Sequence, residues 1–473
     1  MLGEEEPQMD IKLKDETQCS VCAKCMMSCP QKAIILKKGK LNYYPQIEED
    51  KCIKCGACVN ACNNISFSNE IKRIYVGHNS NEQIVKKSAS GGIFTTLANF
   101  ILEKNGVVFG AAFDNKEKII KHIGIESKTE LEKLRKSKYV QSKWFLTIDD
   151  IDRLVKQERY ILFTGTPCQV SSIYNTYNNY DKIICMDLFC HGVLENFALK
   201  EYLNTCCKDV THIDFRAESD INNYALTVVN KNETITEYCS DNLLYNLFIN
   251  SAGIKKACFT CEYADKVHLS DITVGDFDNK EYCEKNEINC KTPSIIVINS
   301  EKGEKIFENI ECKLTVKEIK DRGIVNEYYI KHDLQKGDWG FNSEFYFRFH
   351  DNYKQQGFLK AAIKELYQSE YNAIMKIDKM ITNERIYLYG AGKVGHIVLK
   401  LIKMLRLNWD IGGFIVSRKA NNEMIGNVKV YSIDEIDFSD KRNLVIVSVN
   451  EHLREQITEE LAKRNATNYV CLN

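Results

Sequence analysis

The chain has 473 residues, 64 Lys and Arg against 65 Asp and Glu, a net charge of −1 and 44% hydrophobic residues. That balance leaves no broad field to draw in nucleic acid or an anionic membrane surface. No apolar run approaches the ~18 residues of a membrane span, so a soluble globular protein of about three domains is expected.

The first residues, Met1 to Glu6, are acidic and lack the apolar stretch of a signal peptide. A cytoplasmic protein is expected. There thiols stay reduced, and 20 cysteines speak for metal rather than disulfides.

The first predicted unit is 1–75. Cys19, Cys22, Cys25 and Cys29 are followed by Pro30; Cys52, Cys55, Cys58 and Cys62 are followed by Asn63. Both runs read C-x2-C-x2-C-x3-C, the bacterial ferredoxin spacing for [4Fe–4S] clusters. Three thiolates two residues apart wrap one face of a cubane, and the next turn carries the fourth to the other cluster. The expected sets are Cys19, Cys22, Cys25 and Cys62, and Cys52, Cys55, Cys58 and Cys29. Zinc also takes C-x2-C pairs, but pairs set farther apart.

The second predicted unit is 76–350, with 77–87 read as a polar linker. Ser90, Gly91 and Gly92 open an apolar helix over 93–102. A diphosphate cradle and a plain N-cap both suit that turn. Strands at 107–113, 160–164, 182–189, 210–216, 271–276 and 294–299, with helical patterns at 128–137, 148–157 and 195–207, spell an α/β core. Cys168 and Cys190 follow two of these strands, and Cys258 with Cys261 forms a C-x2-C pair. Four thiols can thus meet at one end of a sheet, where open α/β sheets bind cofactors. The alternative is zinc on the 258–261 pair and packing roles for the other two.

A helical connector, 351–383, leads to a unit at 384–473. Strand 385–389, Gly390, Gly392 and Gly395, a helix to Leu405, and strands 413–417 and 444–449 form a small Rossmann-like pattern. The second strand ends Val416, Ser417, Arg418, without the carboxylate that holds a ribose. A nucleotide there is an open question.

The segments 88–94, 137–142, 165–169, 189–192, 258–264 and 271–277 together resemble the beta subunit of the coenzyme F-420-reducing hydrogenase family. That family includes deazaflavin dehydrogenase subunits and a plant chlorophyll reductase. The likeness runs over about 10–335. It implies an α/β flavoprotein core with FAD and one [4Fe–4S] cluster, here behind a two-cluster ferredoxin domain. By residue, it implies that Cys168, Cys190, Cys258 and Cys261 ligate the core cluster. It puts Ser90, Gly91 and Gly92 along the FAD diphosphate, and Lys138, Tyr139 and Ser142 near the flavin. It puts Asp271, Gly275 and Asp276 at the flavin and substrate cleft. The other cysteines read as packing residues.

The expected function is an iron–sulfur flavoprotein oxidoreductase with three [4Fe–4S] clusters and FAD. It would pass electrons between a ferredoxin or partner redox subunit and a hydride carrier such as F-420 or NAD(P)H. The C-terminal unit also looks like the Rossmann-like domains of sugar-nucleotide and surface-polysaccharide enzymes, so a reductase of such an intermediate is the second reading. A non-enzymatic electron carrier is the third, separable by whether a substrate bleaches the flavin.

Overall fold

The chain divides into two units, Met1–Ser343 and Glu344–Asn473. In a computed structural model, the described residues are 11–63, 71–206, 209–217, 224–239, 241–332, 343–418, 424–425 and 427–472.

The first unit begins with a small module. The hairpin Ile34–Lys38 with Tyr43–Ile47 accompanies two short helices, Lys24–Met27 and Ala57–Asn63. Its own core is little more than Cys25, Ile34 and Cys58. So small a core cannot hold a fold by apolar burial alone, which is why metal usually staples such modules.

Behind the module lies an eight-stranded sheet. Its order is Leu314–Glu318, Arg73–Asn79, Ser294–Ile298, Ile272–Asp276, Ile183–Leu188, Ile161–Gly165, Val107–Asp114, Ile119–Ile125. The four strands from Ile272–Asp276 to Val107–Asp114 are mutually parallel; antiparallel strands flank them. Alternate residues face opposite layers. Val108, Leu162 and Ile184 meet Ile93, Leu97 and Ile101 of the helix Ile93–Glu103. Phe109, Phe163 and Cys185 meet Trp144, Ile151 and Val170 on the other side. Both faces are covered, so the central strands read as unbroken apolar runs.

The stretch expected as a linker at 77–87 starts inside this sheet. Gly77 to Asn79 end a strand paired on both sides. A three-stranded antiparallel sheet, Thr234–Tyr238, Ala225–Val229, His212–Asp214, forms a separate ledge.

In the second unit, five parallel strands run Val428–Ser432, Asp410–Val416, Arg385–Tyr389, Asn443–Val447, Tyr469–Cys471. Numbered along the chain, that is order 3-2-1-4-5 of a doubly wound fold. The stretch expected as a connector holds the helices Phe358–Leu366 and Gln368–Asp378. Their Ile363, Ile374 and Ile377 share one core with Ile386, Val398, Phe414 and Ile446. Among the described residues, no helix is long and apolar enough to cross a membrane.

Candidate functional site

The cysteine runs of the module fold alike. Val21 and Ala23 in the first, and Lys54 and Gly56 in the second, take left-handed φ of 56–73° at matching offsets. Such a conformation costs a non-glycine residue roughly 1–2 kcal/mol. Repeated around two thiol sets, it turns backbone N–H groups inward, as a nest for an anion does. Val21 N–H donates to Cys19 Sγ at 3.3 Å, and Ala33 N–H to Cys29 Sγ at 3.3 Å. Cys25 interacts with Cys19, Cys22 and Cys62, and Cys58 interacts with Cys29, Cys52 and Cys62. Cys55 is exposed.

The module docks on the core through its first run. Trp144 Nε1 donates to Val21 O at 3.1 Å, and Ser172 Oγ donates to Cys22 O at 2.6 Å. Ser20 reaches a cavity that Cys168, Cys190, Cys258 and Cys261 also line. Cys168 lies in the first turn of the helix Pro167–Tyr177, whose N-cap Thr166 makes a capping box with Gln169. Cys190 follows the adjacent strand, and the 3-10 turn Lys256–Thr260 brings in Cys258 and Cys261. Burial raises all four thiols, Cys168 to about 12. They can ionise only against a compensating cation, which a coordinated metal supplies. Burial also lowers His191, on the cavity wall, to about 3, which keeps its imidazole neutral.

A second centre lies beside this cavity. Arg216, 2% exposed, follows the His212–Asp214 strand. It donates to Asp276 Oδ2 at 2.9 Å, to Tyr139 Oη at 3.1 Å and to Ala89 O at 2.9 Å. Its guanidinium carbon lies 4.1 Å from the centroid of the Tyr224 ring. Three segments distant in sequence, at Ala89–Ser90, Tyr139 and Gly275–Asp276, thus converge on one cation. Among the described residues, its Nε is buried without a hydrogen-bond partner. The 139–141 segment joins the two centres. It pairs with Leu194 at both Tyr139 O and Gln141 N, and Gln141 lines the thiol cavity.

Residues 11–63 match the family model described as 4Fe-4S dicluster domain. Two further models describe the N-terminal part and the C terminus of the Coenzyme F420 hydrogenase/dehydrogenase beta subunit. The first matches residues 74–148 and the second residues 158–322. These two together take in about half of the chain. The chain belongs to the coenzyme F420 hydrogenase/dehydrogenase beta-subunit family. It is an iron–sulfur oxidoreductase of that family. Among solved structures, one chain of the F420-reducing [NiFe] hydrogenase complex from Methanosarcina barkeri is similar at 15% identity and a TM-score of 0.41. The alignment covers 61% of this chain and 96% of that one. No curated protein matches.

Several residues that the family resemblance singles out sit elsewhere. Asp271 lies at the opposite end of the Ile272–Asp276 strand from Asp276 and is fully buried. It accepts from Cys185 N–H at 2.8 Å and from Ser300 Oγ at 2.6 Å. It is a structural carboxylate, not part of the cleft. Ser142 faces inward, 2.8 Å from His122 Nδ1 and 3.1 Å from Gln169 Nε2. It buttresses the Cys168 turn. Gly91 N–H donates to Ser294 Oγ at 2.9 Å, and a Cβ there would meet Gly77 O at 2.5 Å. That glycine is required by the sheet it packs on. Lys138 turns its ammonium back onto the carbonyls of Arg135 and Lys136, and burial lowers it to about 7. Cys185 is a fully buried packing residue, and Cys283 and Cys290 pack against a satellite core. Cys207 and the Cys206 side chain lie outside the described residues.

Arg216 escaped sequence reasoning because its partners are 127, 77 and 60 residues away. Lys24 and Lys255 carried a legible signal, standing within and just before cysteine motifs.

In the C-terminal unit the glycines divide three roles. Gly390 turns the chain at φ +111°; a Cβ on Gly395 would strike Gly390 O at 1.9 Å; nothing lies within 4 Å of one on Gly392. A dinucleotide loop distributes its glycines this way: a tight turn, an open approach, and close helix–strand packing.

Proposed function

We propose that the chain is a cytoplasmic iron–sulfur flavoprotein that passes electrons between a one-electron carrier and a hydride donor or acceptor. The observation that carries this reading is one cavity lined by four cysteines from three segments, linked to the Arg216 centre through residues 139–141. Cys168, Cys190, Cys258 and Cys261 would hold one [4Fe–4S] cluster, and the crossed sets expected for the module two more. FAD would be held by Ser90, Gly92, Tyr139, Gly275 and Asp276, with Arg216 added. The orphaned Nε of Arg216 supports that fit, since a diphosphate or ring carbonyl would satisfy it. FAD exchanges electrons in pairs and the clusters exchange them singly, which is the chemistry these groups supply when bound.

The chain's own residues set the geometry. Thr166 and Gln169 fix the turn bearing Cys168, with Ser142 and His122 packed beneath it. Asp276 and Tyr139 hold the guanidinium of Arg216 in place. Exposed Cys55, with Ile53 beside it at 61% exposure, marks where a ferredoxin or partner subunit would dock. The family's description makes F-420 the first hydride partner to test, with NAD(P)H beside it.

Anaerobic metal and flavin analysis tests the proposal. About twelve irons and one flavin per chain are expected. About eight irons with one zinc, and no flavin, would refute it. The strand order and open Gly392 favour one addition: a nucleotide on the loop from Gly390 through Gly392 to Gly395. Sugar nucleotides therefore belong in the same panel of hydride partners.

A further inference from the structure

Among the described residues, Lys24 and Lys255 bury their ammonium nitrogens without a hydrogen-bond partner. They are 7% and 1% exposed. Stripping an ammonium of water costs several kcal/mol unless an opposite charge offsets it. Other lysines of this unit find carboxylates, as Lys121 does with Asp114 and Lys136 with Asp214. These two stand among thiols instead.

Each lysine spans the junction between module and core. Lys24 interacts with Cys22 and Cys62 of the module and with Cys168 of the core. Its Nζ lies 5.7 Å from the centroid of the Tyr263 ring, which lines the thiol cavity. Lys255 interacts with Cys19 of the module and with Cys168 and Cys258 of the core. The carboxylates that face them, Glu262 and Glu195, form no ion pair with either lysine among the described residues.

A cubane held by four thiolates is a net anion, and reduction adds one more negative charge. Net charge around a cluster is one of the terms that sets its potential. We infer that Lys24 and Lys255 are buried counter-charges shared by the two clusters at the module–core junction, and that they raise both reduction potentials relative to the outer Cys29, Cys52, Cys55 and Cys58 cluster. An electron entering at exposed Cys55 then runs inward toward the Arg216 centre. The inference rests on the three-cluster reading.

The test is potentiometric EPR on full-length, anaerobically reconstituted K24M and K255M. Each should shift the oxidised-to-reduced ratio of both inner clusters at least tenfold toward oxidised at a fixed potential. That corresponds to ~59 mV for a one-electron couple. The outer cluster should move less than twofold. K24R and K255R keep the charge and should restore wild-type midpoints, which a packing role does not predict. Inner midpoints that stay within twofold in both Met variants overturn the inference, as do three clusters that shift alike. If a Met variant loads only about eight irons, the Arg variant decides: full loading supports a charge role, and loss in both overturns it. Wild-type protein holding only about eight irons would instead sink the three-cluster reading. K24M would then still test the charge on the Cys19, Cys22, Cys25 and Cys62 cluster alone.

Discussion

Replacing Arg216 with Met probes the flavin assignment at its most informative point. Arg216 donates three hydrogen bonds within the protein and keeps Nε, buried, in reserve. A hydrogen bond from a charged group contributes about 1.5–3 kcal/mol. If Nε serves bound FAD, its loss weakens binding roughly tenfold to a hundredfold, at about 1.4 kcal/mol per tenfold. Met preserves much of the apolar stem but frees Asp276, which is 29% exposed and can recover solvent. The fold should therefore survive. The assay is equilibrium dialysis of FAD against deflavinated protein, with iron content as the control for folding. R216K should fall between, since a lysine keeps the charge without the planar fork. Unchanged FAD affinity in R216M at full iron content would show that this centre does not hold the flavin.

Four further outcomes are expected. C190S should lower iron from about twelve to about eight per chain and leave the EPR signals of both module clusters intact. G91A forces a Cβ to within 2.5 Å of Gly77 O, a backbone atom that cannot step aside. It should cost about 2 kcal/mol in denaturant titrations, whereas G392A, in open space, should cost little stability and weaken any nucleotide bound there. A chain ending at Ser343 should stay soluble with its iron, whereas one ending near Asn383 exposes Ile363, Ile374 and Ile377 and should aggregate; equal solubility on gel filtration would contradict the shared core. His122 is buried and its pKa is lowered from 6.5 to about 4, so between those values the unfolded chain binds a proton that the fold refuses. Stability contributed there should fall as pH drops through 6.5 to 4, and the drop in urea midpoint from pH 7 to 5 should flatten in H122Q.

Local chemistry was legible in the sequence wherever spacing alone determines it. The two cysteine runs need only a turn each to gather their thiols, and residues 11–63 match a 4Fe-4S dicluster domain. The strands at 107–113, 160–164 and 182–189 were legible because both faces are buried and their apolar runs are unbroken. Arg73–Asn79 was half hidden because Gly77, His78 and Asn79 resemble a loop, although neighbouring strands pair with them on both sides. Thr234–Tyr238 alternates exposed and half-exposed residues at the rim of a small sheet, so no buried face announces it. Asp271 misled for a geometric reason. It stands five residues before Asp276, and at ~3.3 Å per residue a strand carries it to the far edge of the sheet. Arg216 gave no local sign, because a cation that gathers three distant segments is visible only once they are folded together.

The order of strands explains why a one-electron chain and a two-electron site would share this core. Gly165 and Leu188 end neighbouring parallel strands, and Cys168 and Cys190 follow just beyond them. The Ile272–Asp276 strand is the next parallel neighbour, and it ends at the Arg216 partner Asp276. Three adjacent strands of one sheet edge therefore carry the proposed cluster ligands and the proposed flavin contact side by side. Sheet strands lie ~4.8 Å apart, so the fold keeps the two centres close whatever the loops beyond them do. The module adds its first cysteine run to the same edge, through Ser20 at the cavity and Cys22 against Ser172. On the proposed assignment, electrons would cross from exposed Cys55 through the docked first cysteine run to the hydride site, and the last two stations would share one sheet edge. A partner could change what delivers or takes the electrons, but not the strand spacing that would separate those two stations.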